Sequence, residues 1–147
     1  MTRKMIVLAA VVLGAATFGA TVALRPAAAV AQEKKAERIF ELRTYTAAEG
    51  KLDALNARFR DHTNKLFVRH GMEIIGFWTP TDEKKGAGNT LIYILAHQSK
   101  EAAAKSWKDF RDDPDWKAAL AASEKDGKLT TKVESVFMKP TDYSPMR

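Results

Sequence analysis

The order in which the hydrophobic period changes constrains this chain more than any other feature. From residue 39 onward, stretches of period two and stretches of helical period follow one another as β-α-β-β-α-β. Residues 39–46 alternate, with Phe40, Leu42 and Thr44 on one side and Ile39, Glu41, Arg43 and Tyr45 on the other. After Gly50, residues 51–70 carry an apolar helical stripe of Leu52, Leu55, Phe59 and Leu66. His62 fills the gap in that stripe, which places it on the buried face, while Arg58, Arg60, Asp61 and Lys65 fall largely off it. Gly71 suits a left-handed helix end. Residues 72–79 form a second strand, 81–89 a polar hairpin loop and 91–97 a strongly apolar third strand. Ser99 is a natural N-cap for a helix to about residue 111. Asp113-Pro114 restarts a helix that carries Trp116 and Leu120 and ends at Gly127, and residues 129–138 supply the last strand.

This order predicts an α+β fold, a ferredoxin-like βαββαβ antiparallel sheet with both helices on one face. The other face of such a sheet is uncovered. It is expected here to carry Arg43 and Tyr45, with Tyr93 and His97 or their neighbours. A face so rich in rings calls for a partner, and the commonest partner is a second copy. A homodimer with facing sheets is therefore expected.

The first 31 residues read as an address. A basic start at Arg3-Lys4 precedes an uncharged apolar run at 5–24, then Arg25-Pro26 and the small residues Ala29-Val30-Ala31. Cleavage is expected before Gln32, giving an exported protein, periplasmic or secreted. The rival is an uncleaved anchor, since an apolar run of that length can just span a bilayer. Residues 32–37 form a polar lead-in, and 38–147 the domain. Removing the leader lowers the formal charge from +6 to +3. What remains has no basic stripe, so nucleic acid is not an expected partner. Stable membrane insertion is not expected once the leader is gone. With no cysteine, disulfide scaffolds, thiolate metal sites, iron–sulfur clusters and thiol nucleophiles are excluded.

The domain resembles the NIPSNAP family, a branch of the dimeric α+β barrel superfamily, over nearly all of residues 38–147. The likeness rests on Glu41-Leu42-Arg43-Thr44-Tyr45-Thr46, Gly50-Lys51, His70-Gly71-Met72 and Gly76-Phe77-Trp78. It continues through the 91–97 strand, Trp107, Phe110, Asp113-Pro114-Asp115-Trp116 and Tyr143-Ser144-Pro145-Met146-Arg147. The resemblance implies a dimeric barrel with a usable space between sheet and helices. In this superfamily that space serves cofactor-free oxygenases and isomerases, and haem-handling members. It implies no shared catalytic set. The mitochondrial roles of eukaryotic relatives do not fit an export leader and are not carried over.

Seven residues are candidates for a ligand pocket: Arg43, Tyr45, His62, His70, Trp78, Tyr93 and His97. Arg43 and Tyr45 share a strand face, where they either form an interface ladder or grip an anionic ligand group. His62 is read as a satisfied core histidine or as a cleft base. His62 and His70 stand about two turns apart, too far to share one metal, and no metal or cofactor is expected. Trp78, Trp107, Phe110 and Trp116 are expected in the core. Ser99 and Ser106 lack a hydrolase setting. These residues predict a homodimeric module that binds a small molecule or a protein, with no catalytic residue assigned. The alternative is a cofactor-independent monooxygenase or isomerase acting on a small hydrophobic, acid-bearing molecule. It would use His62 or His97 as base, with Arg43 and Tyr45 positioning the substrate. A third possibility is tetrapyrrole binding through a histidine.

Overall fold

The computed structural model describes residues 38–146. The expected leader at 1–31, the lead-in at 32–37 and Arg147 lie outside the described residues. Four strands form one antiparallel sheet: β1 (Ile39–Ala47), β2 (Glu73–Trp78), β3 (Thr90–His97) and β4 (Thr130–Met138), in the spatial order β2-β3-β1-β4. Between β1 and β2 run α1 (Leu52–Arg58), a π-helical turn (Phe59–Thr63) and α2 (Asn64–Arg69). Between β3 and β4 run α3 (Lys100–Asp112) and α4 (Pro114–Ser123). The helices share one face of the sheet, as the order of periods predicts.

Local chemistry sets the breaks. Gly71, at φ +73°, ends α2 in a conformation that a side chain would resist. The Ser99 hydroxyl accepts the Ala102 N–H at 3.1 Å and so starts α3. Asp113 Oδ1 accepts the Asp115 N–H at 2.7 Å, and Pro114 in the first turn needs no donor, so the chain turns and α4 begins at once.

The core lies between helices and sheet. Leu55, Phe59, Leu66, Phe67, Met72, Leu91, Tyr93, Leu95, Phe110 and Leu129 are all buried there. Burying each large apolar side chain contributes about 2 kcal/mol. Phe59 and Phe67 meet Tyr93 at ring-centroid separations of 5.2 and 5.8 Å, joining α1–α2 to the middle of the sheet.

Three expectations are corrected. The first concerns the two faces of β1. Glu41, Arg43 and Tyr45, paired with Leu95, Tyr93 and Leu91 of β3, face the helices. Tyr93 and His97 lie on that covered side too. The uncovered face instead carries Phe40, Leu42 and Thr44, aligned with Ala96, Ile94 and Ile92 and with Met138, Val136 and Glu134. Hydropathy alone would bury Leu42 and expose Glu41. The charges go inward because each finds partners there, so burial leaves few of their polar atoms unsatisfied.

The second correction is His62, which is exposed, while Thr63 is 1% exposed and takes the inward place. In a regular helix, residues four apart drift around the axis. The wider π turn reduces that drift, so Leu55, Phe59, Thr63 and Phe67 all stay buried. Arg58, three residues after Leu55 in α1, is buried as well. The third correction is Trp78, which is 48% exposed on the uncovered face, its ring lying over Gly76 rather than in the core. Trp107 and Trp116 pack against the core as expected, and Phe110 is buried within it.

Candidate functional site

The inward face of β1 carries a connected polar network. Glu41, 2% exposed, accepts from Arg43 Nη1 at 2.8 Å and Ser135 Oγ at 2.6 Å through Oε1. Its Oε2 accepts from Trp107 Nε1 at 2.6 Å and faces His97 Nε2 at 3.2 Å. Burial raises the Glu41 pKa. Hydrogen bonds to His97, Ser135, Trp107 and Arg43 outweigh that effect and hold it at about 2. Arg43 stacks over the Trp107 ring at 4.3 Å and donates from Nη2 to the Tyr45 oxygen at 3.3 Å. Burial disfavours its charge, but the oxygens of Tyr93, Tyr45 and Glu41 prevail and raise its pKa.

Tyr93 and Tyr45 complete the chain, with their oxygens 3.1 Å apart. Burial lifts the Tyr93 pKa well above the usual phenol value, so its hydroxyl stays protonated and donates to the Tyr45 oxygen. The Tyr45 oxygen already accepts from Arg43. Two hydroxyl protons serve a single tyrosine–tyrosine bond, and the spare one is best offered by Tyr45, which alone of the pair lines a hollow.

That hollow is a cleft of about 180 Å³ between the inner face of the sheet and the helices. Phe59 and Thr63 of the π turn, Phe67 of α2, Phe110 of α3, and Trp116 and Leu120 of α4 wall it. Val133 on the inner side of β4 is 45% exposed, as that edge strand extends past the helices. Arg58 lines the cleft as well, its side chain 4% exposed, with Nη1 donating to Glu124 Oε1 at 2.9 Å and Ser123 Oγ at 3.3 Å. A π turn at the wall of a cleft is a recurrent functional arrangement.

The seven expected pocket residues therefore separate. Arg43, Tyr45, Tyr93 and His97 belong to one network, and of these only Tyr45 lines the cleft. His70 lies apart, its Nε2 2.7 Å from Asp113 Oδ2, where Arg69 also bonds Asp113 and Asp115 and ties α2 to the start of α4. His62 sits in a larger but open groove of about 530 Å³ on the outer surface, beside Lys65, Arg69 and α4 alanines. Trp78 is on the uncovered face. Neither His62 nor His97 lines the interlayer cleft, so the arrangement can hold and orient a molecule but brings no histidine base to it. Among the described residues no group of three or more His, Asp or Glu is placed to hold a metal ion. Sequence reasoning missed Arg58. Its one signal was its place three residues after Leu55, which its charge led the stripe reading to pass over.

The NIPSNAP family model matches residues 40–145, and with them every strand and helix of the domain. The chain belongs to the NIPSNAP family. Solved structures of this architecture agree. One is a NIPSNAP family protein of unknown function from Agrobacterium tumefaciens strain C58, 24% identical over 76% of this chain and 96% of that one, with a TM-score of 0.65. A second NIPSNAP family protein from that organism is 22% identical, covering 76% and 92% of the two chains at a TM-score of 0.66. A NIPSNAP-like domain protein from Burkholderia xenovorans is 15% identical, covering 75% and 90% at 0.64. At these identities the NIPSNAP structures speak for the fold alone. No curated protein matches the chain.

Proposed function

We propose that this NIPSNAP domain is an exported, homodimeric binding module that holds a small hydrophobic molecule between its sheet and its helices. The observation that carries the reading is the interlayer cleft, a hollow walled by aromatic side chains with Tyr45, Arg58, Thr63, Glu124 and Thr130 as its polar lining. Such a mixture excludes water from most of a ligand and fixes its orientation through one or two hydrogen bonds.

The uncovered sheet face supports the dimer. Leu42, Ile92, Ile94 and Met138 are only half buried there, with Trp78 and Val136 exposed at 48% and 55%. Ion pairs stand at its rim, Arg38 with Glu73 and Lys132 with Glu134. An apolar centre with a charged rim is how interfaces between copies are built, and two antiparallel sheets stack readily face to face. The 1–31 leader, with its small-residue cleavage signal, supports export.

The test is extraction. Protein purified from an exporting host is extracted with organic solvent and the released compounds are weighed. The reading predicts one hydrophobic species at about one molecule per chain. It also predicts loss of that species in Leu120→Trp, which fills the cleft and leaves the sheet face untouched. Release of the same species from Leu120→Trp would place the ligand elsewhere and overturn the reading.

A further inference from the structure

We infer that the molecule held in the cleft is a single-ring aromatic carboxylate, gripped by the free edge of Arg58. The inference rests on the cleft reading above and adds the chemistry of its ligand. Arg58 presents five N–H donors from a rigid plane. Only Nη1 is engaged, by Glu124 and Ser123. Nε is buried and has no hydrogen-bond partner among the described residues, and the guanidinium lies 5.4 Å from the centre of the Trp116 ring. Nε and Nη2 form one edge of the guanidinium. That edge presents two parallel donors, the pattern a carboxylate accepts in bidentate fashion. A buried N–H left without an acceptor is costly, so an arginine so deeply buried with an idle edge is best explained by an acceptor that arrives with the ligand.

Two further features select the ligand. A dry apolar cavity of about 150 Å³ is known to accept benzene. A cleft of about 180 Å³ therefore suits one ring with one small substituent, and its walls of Phe59, Phe67, Phe110 and Trp116 offer ring edges and faces. The second polar group is the Tyr45 hydroxyl, whose proton is spare once Arg43 and Tyr93 are bonded to its oxygen. A ring stacked among the aromatics with its carboxylate on Arg58 and Tyr45 satisfies both donors at once. Glu124, which also lines the cleft, pairs with Nη1 and keeps the guanidinium neutralised in the empty state.

The test compares benzoate with benzyl alcohol on the protein purified from an exporting host, freed of bound compounds. Both titrations are followed by NMR of the Arg58 Nε–H and Trp116 indole N–H signals. Benzoate is expected to bind at least about tenfold more tightly than the neutral ring and to move the Arg58 Nε–H downfield. Arg58→Lys keeps the positive charge but has no Nε–H, and is expected to lose the preference while still binding benzyl alcohol. Equal affinity for the two rings with an unmoved Arg58 signal would overturn the carboxylate assignment and leave the apolar cleft standing. Failure of both rings to move the Trp116 signal would overturn the cleft reading itself. Should Arg58→Lys fail to fold, the two titrations of the unaltered protein still decide the question. Unchanged benzoate affinity in a folded Arg58→Lys would refute the role of Arg58.

Discussion

Glu41 shows how a single residue decides which side of a strand is inside. Its carboxylate is held at about 2 by hydrogen bonds that outweigh burial, whereas an unfolded chain would titrate it near 4.5. A depressed carboxylate contributes stability that is fully present above the unfolded pKa and lost as pH falls through the folded one. Denaturation by urea at a series of pH values should therefore show stability falling between about 4.5 and about 2, by about 3 kcal/mol from this residue. Glu41→Gln should remove most of that dependence. It should also cost about 3 kcal/mol at neutral pH, because Arg43 is left buried without its anion. A Glu41→Gln protein with an unchanged pH profile would contradict the network. Asp113, buried where α3 gives way to α4, behaves similarly. The bond to His70 outweighs desolvation, and with the Asp115 N–H and Arg69 it holds Asp113 at about 2. Asp113→Ala should lower the melting temperature more than Asp113→Asn, since asparagine still caps α4. The alternation of Glu41, Arg43 and Tyr45 was visible in the sequence as a shared strand face. Its direction was not, because hydropathy scores each residue alone, whereas Glu41 is buried through Trp107, Ser135 and His97, which lie far away in the chain.

At the scale of elements, periodicity and capping located the four strands and the helix starts to within a residue or two, while α4 stops at Ser123, four residues short of the expected Gly127. The signals involved are local ones, such as Ser99, Asp113-Pro114 and Gly71. The π turn was a further miss. It has no compositional mark, and one widened turn moved His62 outward and Thr63 inward. The Thr63 hydroxyl, 1% exposed, donates to the Arg58 carbonyl at 3.2 Å and so braces the turn. Thr63→Val should cost about 1 kcal/mol in denaturant titrations. Because the hydroxyl holds Arg58 in place, the same change should weaken ligand binding in the cleft. A stability loss with unaltered affinity would show that the turn shapes the fold but not the site.

For the whole molecule, the layer of helices accounts for one face of the sheet and leaves an apolar surface on the other. Val136→Glu puts a charge on the exposed edge strand of that surface without touching the core, so it should give a folded monomer by light scattering. A Val136→Glu dimer would mean that the copies meet elsewhere. That the sheets pair could be proposed from a βαββαβ order alone, whereas the residues proposed to pair could not, because they follow from the reversed faces of β1. Native mass spectrometry of protein from an exporting host decides whether processed chains pair, each holding a small aromatic acid between sheet and helices. The expected species is a dimer of chains beginning at Gln32 that carries a reproducible added mass, removable by denaturation and replaceable by benzoate. A monomer, or a dimer that takes up no benzoate, would contradict it.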